Sequence, residues 1–371
     1  MSYQFVSCDD HMDLNYLPAN LWEARLPAAF RDRAPNVVET PTGPVWFREG
    51  QRWGYYGSRT AAGMVSRFTN FGIPEEMEPG VFRASTPRYR MEDMDRDGVY
   101  AQVIYNLLGW AFEDQQLKAE CLKAFNSWLA EDFCKENPDR LVGLAFLPCH
   151  EPQAAIDELE RVVKMGLRGA VFDVFASATP IFDDSWEPFW AAAADSTAVI
   201  SVHIGGGFHT LSRAAGTPKL WRTPASAAIT CMQLDEVVSS VAFSGILERH
   251  PRLRLVLGES GIGWVPFVLE RLEFEYDNYY DAMKDDRPGV RPTEIFRRQM
   301  YVTFQEEKLG VQLIPHIGED NVMWASDYPH PDGTFPESRE AVEKIFAGID
   351  SGIKRKVTRD NAADLYGVTA P

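Results

Sequence analysis

Long apolar runs and a targeting segment are missing from this sequence. No hydrophobic stretch approaches the roughly 20 residues that a membrane-spanning helix needs. The N-terminal residues MSYQFVSCDD lack the basic region and the apolar core of a secretory signal. We therefore expect a cytoplasmic protein that has no membrane partner.

Basic residues and cysteines are also scarce. The 371 residues include 37 Lys and Arg against 54 Asp and Glu, and the formal net charge of −17 argues against binding to nucleic acids or anionic membranes. An anionic substrate stays compatible with this charge, because a metal ion or an arginine can dominate the local field. Five cysteines at irregular spacing match neither a disulfide framework nor a zinc finger. A GxGxxG segment after a strand, typical of dinucleotide-binding folds, is absent too.

What the sequence does contain is a regular alternation of short apolar segments with amphipathic ones. The apolar segments predict eight strands, at Tyr3–Cys8, Gln102–Tyr105, Val142–Leu147, Gly169–Phe172, Ala198–His203, Leu253–Leu257, Gln299–Phe304 and Val322–Ala325. Near-continuous hydrophobic strands separated by helices are typical of a parallel sheet that is buried on both faces. Eight such units favour a closed (β/α)8 TIM barrel over an open doubly wound sheet. We expect one domain over residues 1–371.

The alternation lapses over residues 14–97, which are rich in Pro, Arg, Trp and Tyr. A segment of this length between the first two strands is too long for an ordinary loop, so we expect a distorted barrel with an insertion. We predict that this insertion caps the barrel mouth, where Trp46, Trp53, Tyr55 and Tyr56 would contact a ligand. A packing or dimerisation arm is the alternative interpretation.

The first predicted strand is closed by the run Cys8-Asp9-Asp10-His11-Met12-Asp13. Because side chains of a strand alternate between its faces, Asp9, His11 and Asp13 would share one side, while Cys8 points away. Two carboxylates that flank an imidazole can chelate a divalent metal. Taken alone, the run is equally well explained as a polar loop in which His11 is only hydrogen-bonded.

Three further strands end in residues of the same chemical types. His203 ends the fifth strand and precedes three glycines, Glu259 follows the sixth strand, and Asp327 follows the eighth. The carboxyl ends of barrel strands meet at one mouth. Because residues of metal-binding types stand at four of these ends, a metal site is favoured over isolated structural residues.

Several motifs give the chain a resemblance to a known family. They are Asp9-Asp10-His11, Pro138-Asp139-Arg140-Leu141, Val202-His203-Ile204-Gly205-Gly206, Glu248-Arg249-His250-Pro251, Glu259-Ser260-Gly261-Ile262-Gly263-Trp264, Ser326-Asp327-Tyr328-Pro329-His330 and Asn361-Ala362-Ala363-Asp364-Leu365-Tyr366. From Val6 to Val368 the chain resembles the amidohydrolase-related branch of the amidohydrolase superfamily, which contains aminocarboxymuconate semialdehyde decarboxylase and the aromatic-acid decarboxylases. These motifs are specific for the fold and only weakly specific for the reaction.

The resemblance implies a ligand set, and the departures from it are informative. The common His-x-His of the first strand reads His11-Met12-Asp13 here, so the carboxylate-x-His form places Asp9 and His11 on the metal. Asp13 then supports the ligands or adds one. Many relatives have a histidine where this chain has Glu259, and no lysine stands at the end of the fourth strand to form a carboxylated bridge.

We therefore predict a metal centre formed by Asp9, His11, His203, Glu259 and Asp327. Zinc or manganese is the expected ion, and iron is the alternative. Hydrolysis and non-oxidative decarboxylation of a small, carboxylic or aromatic substrate would use the same ligands.

In either reaction Asp327 would carry the proton, and His209 and His330 are candidates for an additional acid. A third hypothesis is a diiron monooxygenase acting on a bulky natural-product acid or thioester, in which Glu259 bridges two ions. The resemblance also implies a homo-oligomer.

Overall fold

The eight predicted strands form one parallel sheet in the computed structural model, which describes residues 5–57, 76–106, 111–177, 179–205, 221–330 and 332–370. The strands are β1 (Phe5–His11), β2 (Val99–Tyr105), β3 (Leu141–Phe146), β4 (Gly169–Val171), β5 (Val199–His203), β6 (Leu255–Gly258), β7 (Met300–Phe304) and β8 (Val322–Trp324). Each strand pairs in parallel with the next one along the chain. The predicted (β/α)8 barrel is therefore confirmed, with strand ends displaced by a few residues at most.

The barrel is closed between β1 and β8 by single hydrogen bonds instead of a continuous ladder. The amide of Asp327 donates to the carbonyl of Asp9 at 3.1 Å, and the amide of His11 donates to the carbonyl of Tyr328 at 2.6 Å. At the preceding residue, the amide of Ser326 donates to Oγ of Ser7 at 2.7 Å. The seam thus joins the two strand ends from which the predicted metal ligands come.

Helices connect and cover the strands. Their bounds are Leu21–Arg25, Pro87–Asp97, Gln115–Trp128, Pro152–Lys164, Glu187–Ser196, Arg222–Thr230, Asp235–Phe243, Ile246–Arg249, Val265–Asn278, Tyr280–Met283, Pro292–Gln299, Lys308–Ile317, Ser338–Ile345, Ser351–Arg355 and Asn361–Tyr366. Side chains on both faces of the strands are buried, as expected for a sheet packed between helices and its own interior. In the part of the chain that the structure describes, no helix combines the length and the apolar character that crossing a membrane takes.

Residues 14–97 contain two small antiparallel sheets and a barrel helix. The first sheet consists of Asn36–Val38, Val45–Arg48 and Gln51–Tyr55, and the second of Glu76–Glu78 and Val81–Phe82. The helix Pro87–Asp97 then leads directly into β2, which is the place of the connecting helix in a β/α unit.

Tryptophans pack this segment together and attach it to the barrel through Trp22. The indole nitrogen of Trp22 donates to the carbonyl of Cys121 at 3.1 Å, and that of Trp46 donates to the carbonyl of Leu14 at 2.8 Å. The rings of Trp22 and Trp46 meet edge to face at 5.0 Å between centroids. Burial of these large rings fixes the position of the small sheet beside the helix Gln115–Trp128.

Arg90, on the helix Pro87–Asp97, is fully buried beneath the β1–β8 seam. Its guanidinium donates to the carbonyl of His11 at 2.8 Å, to the carbonyl of Ala84 at 3.1 Å and to Oε1 of Gln102 at 2.6 Å. Burial raises the pKa of the Asp10 carboxyl to about 7, and the positive charge of Arg90 keeps it from rising further. Arg90 therefore connects the end of β1 to the helix that follows it.

Replacing Arg90 with methionine is expected to lower the free energy of unfolding by about 3 kcal/mol, because three acceptors and a buried carboxyl lose their cationic partner. Urea denaturation of the variant would measure this loss. The matched control is Arg88→Met on the same helix, where the side chain is exposed and the expected change is below about 0.5 kcal/mol. Equal stability of the two variants would show that Arg90 does not support the seam.

Candidate metal centre

The end of β1 places alternate side chains into the barrel mouth. Asp9, His11 and Asp13 are all buried and face the residues at the ends of the other strands. The intervening Asp10 turns to the opposite side, where its Oδ1 accepts from Oγ of Ser326 at 2.5 Å. The alternation predicted for this strand is therefore present at the site. Cys8 is buried with its sulfur 3.4 Å from that of Met323, away from the mouth.

Asp9 is oriented by two donors that use only one of its carboxylate oxygens. Oδ2 accepts from the hydroxyl of Thr303 at 2.6 Å and from the amide of Glu259 at 2.5 Å. Oδ1 has no hydrogen-bond partner among the described residues. It lies 3.4 Å from Nε2 of His203 and 3.6 Å from Nε2 of His11. The unused oxygen therefore points at two imidazole nitrogens, as it would in a shared metal site.

His203 is held in one tautomer by its own backbone. Nδ1 lies 2.8 Å from the carbonyl of Ile204, and because a carbonyl only accepts, Nδ1 carries a proton. Nε2 then offers its lone pair to the mouth, which is the form that binds a metal. Burial lowers the pKa of His203, but the charges of Asp9 and Glu259 outweigh it and raise the pKa to about 9. A metal ion at Nε2 therefore competes with a proton.

Asp327 and Glu259 occupy strained positions directly after β8 and β6. Their φ angles are 60° and 49°, in the left-handed region that residues other than glycine seldom adopt. Oδ1 of Asp327 lies 2.7 Å from Nε2 of His11, although these two atoms lack the alignment of a hydrogen bond. Oε2 of Glu259 lies 3.6 Å from Nε2 of His203 and 4.0 Å from Nε2 of His11. The strained turns direct both carboxylates toward the imidazoles.

Burial and the negative charge of Asp327 raise the pKa of the Glu259 carboxyl to about 8. The carboxylates of this site are thus close enough to repel one another, and a cation among them would relieve that repulsion.

His330 stands beside these groups on the loop after β8. Its ring stacks on that of His11 at 4.0 Å between centroids. Nδ1 lies 3.0 Å from Oδ1 of Asp327, and Nε2 lies 3.3 Å from Oδ1 of Asp13. Burial lowers the pKa of His330, but the two carboxylates outweigh it and hold the pKa well above the usual value for histidine. His330 is therefore placed to carry a proton next to Asp327.

A metal ion fits the donor atoms that these residues leave unused. Within the described ranges, Oδ1 of Asp9, both ring nitrogens of His11, Nε2 of His203 and both oxygens of Asp327 are buried without a hydrogen-bond partner. Buried polar atoms are seldom left in that state, so this concentration indicates a missing ligand.

Together with Glu259 and His330, these residues form two overlapping groups: Asp9 with His11 and His203, and His11 with Glu259, Asp327 and His330. In each group the ligand atoms lie within 4.8 Å of one another. Imidazole and carboxylate donors in this combination suit zinc, manganese or iron.

The structure therefore brings together the sequence-predicted residues Asp9, His11, His203, Glu259, Asp327 and His330, with Asp13 in contact through His330. His209 lies outside the described residues.

Sequence reasoning missed two residues that shape the site. Thr303 is buried and carries the only hydroxyl that contacts Asp9 among the described residues, and its position near the end of the apolar strand β7 was the available signal. Gly258 ends β6, where a Cβ atom would lie 2.5 Å from Cδ2 of His203 and 3.2 Å from Oδ2 of Asp9. Only glycine allows these ligands to approach the strand so closely.

Thr303→Val should weaken metal binding roughly 10- to 100-fold, because the methyl group neither donates to Asp9 nor accepts from the amide of Glu259. Calorimetric titration with manganese would measure the change. Thr303→Ser, which keeps the hydroxyl, is the matched control and should bind manganese nearly as the native chain does. Equal affinities for valine and serine variants would refute the orienting role of this hydroxyl.

Comparison with known proteins identifies the family of the chain. A family model for amidohydrolases matches residues 28–368. A γ-resorcylate decarboxylase from Rhizobium sp. (strain MTP-10005) is 28% identical over 337 residues, which cover 82% of this chain and 98% of that protein.

Two solved structures share the fold. An amidohydrolase from Mycobacterium avium subsp. paratuberculosis K-10 superposes with a TM-score of 0.79 at 20% identity, covering 100% of this chain and 99% of the other. A dihydroxybenzoic acid decarboxylase from Polaromonas sp. JS666, solved with manganese and the inhibitor 2-nitroresorcinol, gives 0.64 at 16% identity, covering 100% and 98%. The family match extends over most of the barrel strands and the ends of β5, β6 and β8, and the chain therefore belongs to the amidohydrolase family.

Proposed function

We propose that this protein is a metal-dependent decarboxylase of aromatic or related carboxylic acids. A divalent metal would be held by Asp9, His11, His203 and Asp327, with Glu259 beside them. The observation that carries the proposal is the set of buried donor atoms from these residues that have no other partner among the described residues. Manganese is the first candidate for the ion, because the Polaromonas decarboxylase of the same fold binds it.

Decarboxylation is favoured over hydrolysis by the relatives and by the acid beside the site. The Rhizobium relative, aligned over 98% of its length, is a decarboxylase. Loss of CO2 from an aromatic acid requires a proton donor at the ring carbon, whereas hydrolysis requires a base for water. His330, which lies between Asp327 and Asp13, is positioned to supply such a proton by way of Asp327.

When bound, the metal would act as a Lewis acid toward the substrate carboxylate and a neighbouring oxygen. Asp327 would transfer a proton to the ring carbon that bears the carboxylate, and His330 would return a proton to Asp327 through their 3.0 Å contact. As CO2 leaves, the electron pair of the broken carbon–carbon bond stays with the ring and ends in the new C–H bond. Thr303 and the amide of Glu259 would hold Asp9 in place throughout.

The diiron monooxygenase hypothesis draws on the same residues. The group of His11, Glu259, Asp327 and His330 could hold a second ion beside the first. None of the three proteins compared above is called an oxygenase. We therefore place this hypothesis second, and the metal stoichiometry separates the two.

We also propose that residues 14–97 cap the barrel mouth, where a small-molecule substrate would bind. Separately, we propose that the chain forms a homo-oligomer. Support comes from the helix Val265–Asn278, where the aromatic side chains of Phe267 and Phe274 are exposed by 67% and 53%. Aromatic residues of this size on one helix are more typical of an interface than of an isolated surface.

Protein purified without added metal should contain one divalent ion per chain, zinc or manganese, and should lose thermal stability when a chelator removes it. Native mass spectrometry with elemental analysis would give the ion, its stoichiometry and the oligomeric state together. Two irons per chain, with turnover that depends on oxygen, would favour the monooxygenase. An unchanged melting temperature and no bound metal would refute the metal centre.

Manganese-loaded protein should release CO2 from 2,6-dihydroxybenzoate or another hydroxybenzoate, and in D2O the product should carry deuterium at the vacated ring carbon. Asp327→Asn should lower this rate by at least ~100-fold, because the amide cannot deliver a proton. Asp320→Asn, at an exposed position before β8, is the matched control. Full activity of the Asp327 variant would show that the proton comes from elsewhere, and no CO2 from any hydroxybenzoate would refute the proposed substrate class.

A further inference from the structure

Lys118 is a buried cation that the proposed chemistry does not use. It lies in the first turn of the helix Gln115–Trp128 and is only 4% exposed. Its ammonium group makes no ion pair or hydrogen bond within the described part of the chain, and burial lowers its pKa. An ammonium group that is largely removed from water and has no hydrogen-bonded anion is costly, and its presence here favours a partner that arrives with the ligand.

A second cation, Arg48, approaches the same place from the insertion. Its guanidinium lies over the rings of Phe112 and Trp53, at 4.8 and 5.3 Å from their centroids. Nε is buried and has no partner among the described residues. The adjacent Glu49 does not pair with it, because its two carboxylate oxygens accept from the amides of Glu113 and Asp114. The aromatic rings hold the guanidinium while leaving its donors unused.

The carboxylate that influences Lys118 uses one of its oxygens elsewhere. Asp173 follows β4 and influences Lys118 electrostatically. Its Oδ1 accepts from the amides of Phe175 and Ala176, both at 3.1 Å, and thereby forms a turn. Lys118 and Arg48 thus each lie in the electrostatic field of one carboxylate, Asp173 and Glu49, but neither forms an ion pair with it among the described residues. Both cations are therefore available to an anion that enters the mouth.

The position of these groups relates them to the metal centre. Lys118 follows β2, Cys149 beside it follows β3, and Asp173 follows β4, so all three stand at the carboxyl ends of the strands. The metal residues stand at the same end, after β1, β5, β6 and β8. Both groups therefore border the single barrel mouth, on opposite arcs of its rim.

We propose that Lys118 and Arg48 form a cationic subsite that binds a second carboxylate of the substrate, with Trp53 and Phe112 as its apolar walls. The substrate class is thereby narrowed to diacids, whose reacting carboxylate lies at the metal and whose other carboxylate lies between the two cations. Charge-assisted hydrogen bonds from a guanidinium and an ammonium suit a carboxylate oxygen pair. The inference rests on the proposed function only for the placement of the reacting carboxylate at the metal.

The test compares two ligands that differ by one carboxylate, salicylate and 5-carboxysalicylate, by calorimetric titration of the manganese-loaded protein. The native chain should bind the diacid at least ~10-fold more tightly than the monoacid. In Lys118→Gln and in Arg48→Gln the ratio of the two dissociation constants should fall toward one. Lys123→Gln, on the same helix, and Arg52→Gln, on the neighbouring strand, replace exposed cations and should keep the native ratio.

A second arm separates this inference from the proposed function. Isophthalate, which has two carboxylates and no hydroxyl group to chelate a metal, should raise the melting temperature of the native chain even without added manganese. The rise should be smaller in Lys118→Gln and restored in Lys118→Arg. A native ratio near one, or equal stabilisation of the native and Lys118→Gln proteins, overturns the subsite. Failure to bind manganese or to release CO2 would instead overturn the proposed function, and this arm would still decide the subsite.

Discussion

Asp9 links the closure of the barrel to the assembly of the site. Its carbonyl accepts from the amide of Asp327 across the β1–β8 seam, and its carboxylate accepts from Thr303 of β7 and from the amide after β6. A single residue thus connects four strand ends, three of which carry proposed ligands. Because one carboxylate oxygen is fully used by these bonds, the other is left to face His11 and His203. The same residue therefore helps to close the barrel and to orient the donor atoms.

The local backbone shows the cost of this arrangement. Glu259 and Asp327 hold left-handed conformations, and Gly258 stands where any side chain would collide with His203. Such conformations persist only where surrounding bonds determine them, here the bonds to Asp9 and the burial of Arg90 beneath the seam. These bonds determine the backbone conformation of the site on the side of β6 to β8. Its chemistry depends on donors that are positioned before any ligand arrives.

Charge is divided across the barrel mouth. The proposed metal residues lie on the arc from β5 through β8 to β1, whereas the arc of β2 to β4 carries Lys118 with Asp173, and the insertion adds Arg48 with Glu49. The net charge of −17 would repel an anionic substrate at long range, but salt screens that repulsion beyond about 10 Å. Inside the mouth, the nearby cations and a bound metal would determine the attraction for an anionic substrate. The insertion contributes to this balance by holding Arg48 between Trp53 and Phe112.

The sequence by itself determined the eight strands, the polar residues at their ends and the membership of Asp9, His11, His203, Glu259, Asp327 and His330 in one cluster, because apolar periodicity and the common direction of parallel strands are local properties. Tertiary structure alone decided which atoms remain free. The hydroxyl of Thr303 on Asp9 and the electrostatic influence of Arg48 on Lys118 join residues that are 294 and 70 positions apart. No pattern along the chain encodes such contacts, since they arise only when the barrel closes and the insertion packs against it.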